Sequence, residues 1–206
     1  MACRFQSSNL STCRRLRTPF DDPDWLFEVK YDGFRALAFI EGGECRLVSR
    51  NDHTYKRFLD LQRVLPADIA AKDAIIDGEL VVLDAEGKAQ FNELMFNRAA
   101  PVFAACDVLW LNGRDVRDRE LLDRKAMLRR TVKPDAKHAL YVGHMVEQGD
   151  ALYRQACAHA IEGIVAKPII SQYREVGGKS PWLKIKNPKY RQKEGRSDLF
   201  NRKREQ

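Results

Sequence analysis

The stretch Glu28-Val29-Lys30-Tyr31-Asp32-Gly33-Phe34-Arg35 sets a lysine at the end of a short apolar run, just before an Asp-Gly turn signal. Side chains alternate along a strand, so Glu28, Lys30 and Asp32 share one face if the extended geometry persists. Val29 and Tyr31 flank the lysine. Partial desolvation between them lowers the pKa of an amine and frees it as a nucleophile. An ordinary surface lysine ahead of a hairpin turn fits the same residues, so this octet leaves both readings open.

Near the other end, Trp182-Leu183-Lys184-Ile185-Lys186 alternates lysine with apolar residues. Both ammonium groups then point to one face of a strand. They repel each other unless an anion such as a polyphosphate lies between them, and they depress a neighbouring amine. A solvent-facing edge strand guarded by lysines has the same pattern. Two acids stand beside glycines in apolar contexts, Glu79 in Asp77-Gly78-Glu79 and Glu162 in Glu162-Gly163-Ile164. Hard carboxylates of this kind suit a Mg²⁺ (or Mn²⁺) ion that also takes phosphate oxygens, and ordinary turn acids fit equally.

Other chemistries fail on spacing. Gly177-Gly178-Lys179-Ser180 resembles the end of a phosphate-binding P-loop, but the position of its first glycine holds Tyr173. The five cysteines form no C-x-x-C pair and the four histidines show no ligand spacing, which excludes a zinc site or a disulfide framework as the organising device. This cysteine usage predicts a reducing, cytoplasmic setting. No apolar run reaches the roughly 18 to 20 residues of a membrane span.

The elements that must position these residues follow from the pattern. Hydrophobic residues at 44% and charged residues at 32% place the 206-residue chain among globular domains. Its formal charge of +7 is concentrated at the ends. Arg4, Arg14, Arg15 and Arg17 stand in the first twenty residues without an acid, and residues 182–206 hold nine Lys/Arg against three Asp/Glu. Basic ends around a slightly acidic body suit a phosphate-backbone partner, or form solvated tails. Three segments are expected: a basic leader at 1–18, a folded domain at 19–187, and a basic tail at 188–206.

Within the domain, strands are predicted over 25–30, 34–41, 44–49, 102–111, 139–142, 163–169 and 182–185. Gly42-Gly43 makes the second and third of these a hairpin. Residues 74–83 form a β-branched run interrupted at Asp77-Gly78-Glu79. Helices are predicted over 58–71, 89–99, 120–131 and 150–161, the third with its Arg/Lys residues largely off the apolar face and the last capped by Asp150. Hairpins interspersed with helices predict an α+β fold of largely antiparallel sheets flanked by helices.

The order of the chemistry-bearing segments is more specific than any one of them. Lys30-x-Asp32-Gly33-x-Arg35, Ser49-Arg50-Asn51, Asp77-Gly78-Glu79, Asp107-x-Leu109, Glu162-Gly163-Ile164-Val165-Ala166-Lys167 and Lys184-x-Lys186 occur in that sequence. Together they resemble the ordered motifs of the covalent nucleotidyltransferase superfamily, over about residues 19–200. The likeness is greatest to the adenylation domain of ATP-dependent DNA ligases of bacterial end-joining and repair type, with its ATP-grasp-like core.

The resemblance implies that Lys30 attacks the α-phosphorus of ATP to form a lysyl–AMP phosphoramidate, and that AMP then passes to the 5′-phosphate of a nick in duplex DNA. It implies adenine recognition by the backbone of Glu28 and ribose or phosphate contacts from Arg35 and Arg50. Glu79 and Glu162 act at the ribose or metal, and Lys167, Lys184 and Lys186 bind phosphate. A non-catalytic ATP- or DNA-binding descendant and an RNA-joining enzyme share these motifs. Four departures stand out. Asp52 follows Ser49-Arg50-Asn51 where the family has glycine. Cys106 stands where an adenine-stacking aromatic is common, and Lys179 where arginine is common. Twenty residues after Lys186 do not make the OB-fold that follows in the family, which leaves three expectations open: a truncated form, a minimal enzyme, or a protein that needs an OB-fold-containing or end-binding partner.

Overall fold

In a computed structural model the structure describes residues 13–174 and 180–190. Two sheets face each other. The first runs in the order β1 (Arg14–Leu16), β11 (Leu183–Lys186), β10 (Gly163–Pro168), β2 (Asp22–Val29) and β9 (His144–Glu147). The second runs β4 (Glu44–Ser49), β3 (Phe34–Glu41), β5 (Asp73–Val81), β6 (Val102–Leu111) and β7 (Arg114–Asp115), with β8 (Ala139–Tyr141) also on β6. Among the described residues only the β1–β11 and β6–β8 pairs are parallel, so the expected antiparallel α+β architecture is the one observed. Among the described residues no helix is long and apolar enough to cross a membrane.

Period-2 alternation divides each strand between two environments. In the second sheet Ala36, Ala38 and Ile40 of β3 and Ile76 and Leu80 of β5 enter the main core, with Leu61 of α1 (Leu59–Val64) and Leu128 of α3 (Leu121–Thr131). The intervening residues Leu37, Ile75 and Leu109 face the first sheet and pack with Tyr173 and Trp182. In the first sheet Phe27, Ile164 and Ile185 pack under α4 (Gly149–Ala158) around Ala156. That leaves Val165, Lys167, Lys184 and Lys186 on the opposite parity, toward the second sheet.

The structure corrects several sequence expectations. The helix over 58–71 ends at Val64 and continues as a 3-10 turn from Leu65 to Asp68, where Pro66 brings no N–H to an α-helical ladder. The helix over 89–99 contracts to α2 (Phe91–Met95), with Asn97 left-handed behind it. Strand β5 is not interrupted at Asp77-Gly78-Glu79, because a register shift against β6 absorbs the irregularity. Helix α4 starts one residue early, and its Asp150 is no cap: the Asp150 N–H donates to Asp21 Oδ1 at 2.8 Å. Strand β1 lies inside the stretch read as a leader. Residues 1–12, Lys179 and the tail from 191 lie outside the described residues.

The largest correction concerns α3. Arg124 and Lys125 do not lie off the apolar face but are fully buried with Leu121 and Leu128. Positions 121, 124, 125 and 128 make one helical stripe, and two of its four members are cations.

Candidate active site

Lys30 follows the last residue of β2, and its N–H donates to Gly163 O at 2.9 Å. Gly163 has φ +143°, and a Cβ there would stand 2.1 Å from Ile185 O, so no side chain fits. Gly33 is equally constrained, with Leu80 O 2.1 Å from where its Cβ would be. The Lys30–Gly163 hydrogen bond sets the lysine's loop against β10, the close approach at Gly33 sets it against β5, and that at Gly163 seats β10 on β11.

A cleft of about 220 Å³ opens between the sheets. Lys30, Glu28, Lys167 and Lys184 line it from the first sheet, and Arg35, Arg50 and Glu79 from the second. Seven of the nine predicted site residues therefore share one cavity. The other two join through contact: Glu162 pairs with the Lys30 ammonium by Oε2 and with Lys186 Nζ by Oε1 at 2.9 Å. Lys184 and Lys186 share a parity on β11, as the alternation predicts.

The electrostatics at Lys30 reverse the sequence expectation. Burial works to lower the amine, but attraction by Glu162 and then Glu79 outweighs it and holds Lys30 above its ordinary value. The depression predicted from Val29 and Tyr31 is overturned by acids that arrive from other strands. Burial opposes ionisation of Glu162, yet Lys30 and Lys186 keep its carboxyl below the usual range. Glu79 goes the other way. Burial pushes its carboxyl up to about 7 despite Lys30 and Arg35.

Glu28 sits mid-sheet, its main chain between Val165 of β10 and His144 of β9. Its carboxylate binds two lysines, Lys125 and Lys167, each at 2.6 Å. Burial pulls Lys167 down, but Glu28 outweighs that and raises it well above its ordinary range. The Lys167 ammonium lies 4.1 Å from the Trp182 ring centroid. Arg35 is forked onto Asp77, Nε to Oδ1 at 3.0 Å and Nη2 to Oδ2 at 2.7 Å, and the Tyr173 hydroxyl donates to the same carboxylate at 3.0 Å. Arg50 is exposed at the rim.

Sequence reasoning missed Asp77 and Tyr173 as the pair that aims Arg35, and Lys125 as the second partner of Glu28. The stripe on α3 was the available signal for Lys125; nothing local marks Tyr173. Asp107 forks with the buried Arg124 through two contacts of 2.9 Å, which fixes α3 against β6. Cys106, at the position where an aromatic is common in the family pattern, lines the cleft, and burial pushes its thiol up to about 12. Asp52 has φ +61°, the left-handed conformation that explains a glycine at that position in the family pattern.

Glu79 and Glu162 both bear on Lys30 electrostatically. Among the described residues no group of three or more His, Cys, Asp or Glu side chains is placed to hold a metal ion.

Residues 7–186 match the ATP dependent DNA ligase domain family. The chain belongs to that family. This ligase domain is 32% identical over 170 residues to the multifunctional non-homologous end joining protein LigD of Pseudomonas aeruginosa, covering 79% of the chain and 20% of that protein. It is 32% identical over 168 residues to LigD of Mycobacterium tuberculosis H37Rv, covering 79% of the chain and 22% of that protein. A solved structure of mycobacterial DNA ligase D complexed with ATP and MES superposes with a TM-score of 0.73 at 26% identity, over 88% of this chain and 62% of that one. The domain thus spans about a fifth of the length of these curated relatives.

Proposed function

We propose that this ligase domain transfers AMP from ATP to its own Lys30 and then to the 5′-phosphate at a break in duplex DNA. The observation that carries the reading is the position of Lys30. It stands at the wall of a cleft between two sheets, paired to Glu162, with Lys184 and Arg35 lining the same cavity. Residues 19–187, with β1 in front, form the transfer unit. Duplex DNA ends and an end-binding or OB-fold-bearing protein are its partners in this reading, supported by relatives that are end-joining proteins.

The chain's own groups divide the work. The Lys30 ammonium loses its proton before its nitrogen attacks the α-phosphorus. A nitrogen–phosphorus bond forms, the bridging oxygen–phosphorus bond breaks, and pyrophosphate leaves. Lys184 and Lys186, with Arg35 and Arg50 across the cleft, hold the phosphate charge that builds up in the transition state. Val29, Cys106 and Val165 give the base a largely apolar wall. Glu79 and Glu162 are the carboxylates that would hold a Mg²⁺, which would screen phosphate charge and favour the neutral amine. A 5′-phosphate oxygen then attacks the AMP phosphorus and Lys30 departs as an amine. The adjacent 3′-hydroxyl finally displaces AMP to close the break.

The test uses ATP labelled at the α-phosphate, with Mg²⁺. Label stays on the denatured wild-type protein, and Lys30→Ala carries none. A chase with nicked duplex moves the label to the DNA 5′-end. Absence of protein label at millimolar ATP, or label that survives Lys30→Ala, refutes the assignment.

A further inference from the structure

Behind the cleft wall lies a cluster with more positive charge than its own acid needs. Lys125 of α3 is completely buried. Its Nζ stands 2.6 Å from Glu28 Oε1 and donates to Val142 O at 2.7 Å and Cys106 O at 3.1 Å. The face of Tyr141 lies 4.5 Å away. Lys167 takes the other Glu28 oxygen at 2.6 Å and, unlike Lys125, lines the cleft. One carboxylate thus serves two lysines, and the trio carries a net charge of +1.

Burying an ammonium is costly, and Glu28 with Lys167 alone would already balance. A second buried lysine makes physical sense where a further anion completes the set. Of the two lysines Lys167 alone lines the cavity, beside Glu28, so that anion must approach from the cleft side.

We propose that Lys125 is a positioning residue for nucleotide binding: it neutralises Glu28 from behind, so that Lys167 keeps its charge for the phosphates of a nucleotide in the cleft. This rests on the ATP reading above and adds a residue outside the ordered motifs. Lys125 also joins β2 of one sheet to β6 of the other. A purely structural pin would stabilise the fold without discriminating between charged and neutral ligands, and the experiment separates the two roles.

Dissociation constants for ATP and for uncharged adenosine are measured by calorimetry without divalent ions, so that no transfer occurs. Four proteins are compared: wild type, Lys125→Met, Glu28→Gln, and the double variant. Near-UV circular dichroism checks the fold of each. Lys125→Met makes the trio neutral and weakens ATP about tenfold, as expected for one charge acting through a partly screened site, while adenosine changes far less. Glu28→Gln raises the trio to +2 and tightens ATP. The double variant returns the charge to +1 and recovers ATP affinity to near the wild-type value.

Equal losses for ATP and adenosine in Lys125→Met overturn the proposal. So does a folded double variant that fails to recover, or a Glu28→Gln protein that binds ATP no more tightly. If Lys125→Met or Glu28→Gln does not fold, the double variant decides, because it leaves neither a buried carboxylate nor a second buried ammonium. Wild-type protein that binds adenosine but no ATP refutes this charge role alone; protein that binds neither refutes the nucleotide reading beneath it.

Discussion

Replacing Glu79 with glutamine should stabilise the domain at pH 8 and do far less at pH 5. Burial lifts the Glu79 carboxyl from 4.5 to about 7 in the folded protein. The folded state therefore holds this proton over a pH range in which the unfolded chain has released it. For an acid raised on folding, stability is lost as pH climbs from the unfolded value to the folded one. At about 1.36 kcal/mol for each tenfold change in proton affinity, the gap bounds the loss at about 3 kcal/mol. Glu79 is partly exposed at the cleft, and solvent screening brings the expected figure to about 1–2 kcal/mol. Glu79→Gln removes the ionisation, and for a domain of this size the gain corresponds to about 3–6 °C in Tm. Thermal melts of both proteins at pH 5, 6, 7 and 8, without nucleotide or divalent ions, give the comparison. A Tm difference that stays flat across the series, or a variant less stable than wild type at pH 8, refutes the reasoning.

Arg124→Met leaves the fully buried Asp107 carboxylate without its fork and should cost about 3–5 kcal/mol in urea unfolding. A loss below about 1 kcal/mol would show that the pair is dispensable. Tyr173→Phe removes the hydroxyl that helps aim Arg35 through Asp77. It should destabilise the domain by about 1.5–3 kcal/mol by denaturant titration, with a rise in the ATP concentration needed for half-maximal labelling. Gly163→Ala places a methyl against Ile185 O at a backbone angle only glycine tolerates. It should cost at least about 2 kcal/mol in a thermal melt and sharply reduce labelling of Lys30, whereas wild-type labelling would show that the β10–Lys30 contact has no part in placing the amine.

Features that depend on near neighbours were legible in the sequence. The hairpin of β3 and β4 and the whole of β6 fall within their predicted bounds because alternation and a two-residue turn are local signals. Seven of nine site residues share one cavity because motif order preserves their topology. What escaped depends on partners far along the chain. Lys30 was read from Val29 and Tyr31, but its charge state answers to Glu162, 132 residues away. Arg124 and Lys125 look like solvent-facing cations until Asp107 and Glu28 arrive to bury them. Strand β9 has only four residues, half of them exposed, and its identity comes from pairing with β2.

The two sheets draw on the chain unequally, and this sets a timetable for assembly. The strands of the second sheet all come from residues 34–141, so they can pair as soon as that stretch leaves the ribosome. Strand β2 precedes them but finds β9 and β10 only after more than a hundred further residues, and β1 waits for β11. Closing such long loops is entropically slow. During synthesis, Glu28 and Lys30 therefore spend their first interval as ordinary solvated side chains on an unpaired segment. The charge network that distinguishes them forms last, so the growing chain carries no assembled cleft until β10 and β11 have been made.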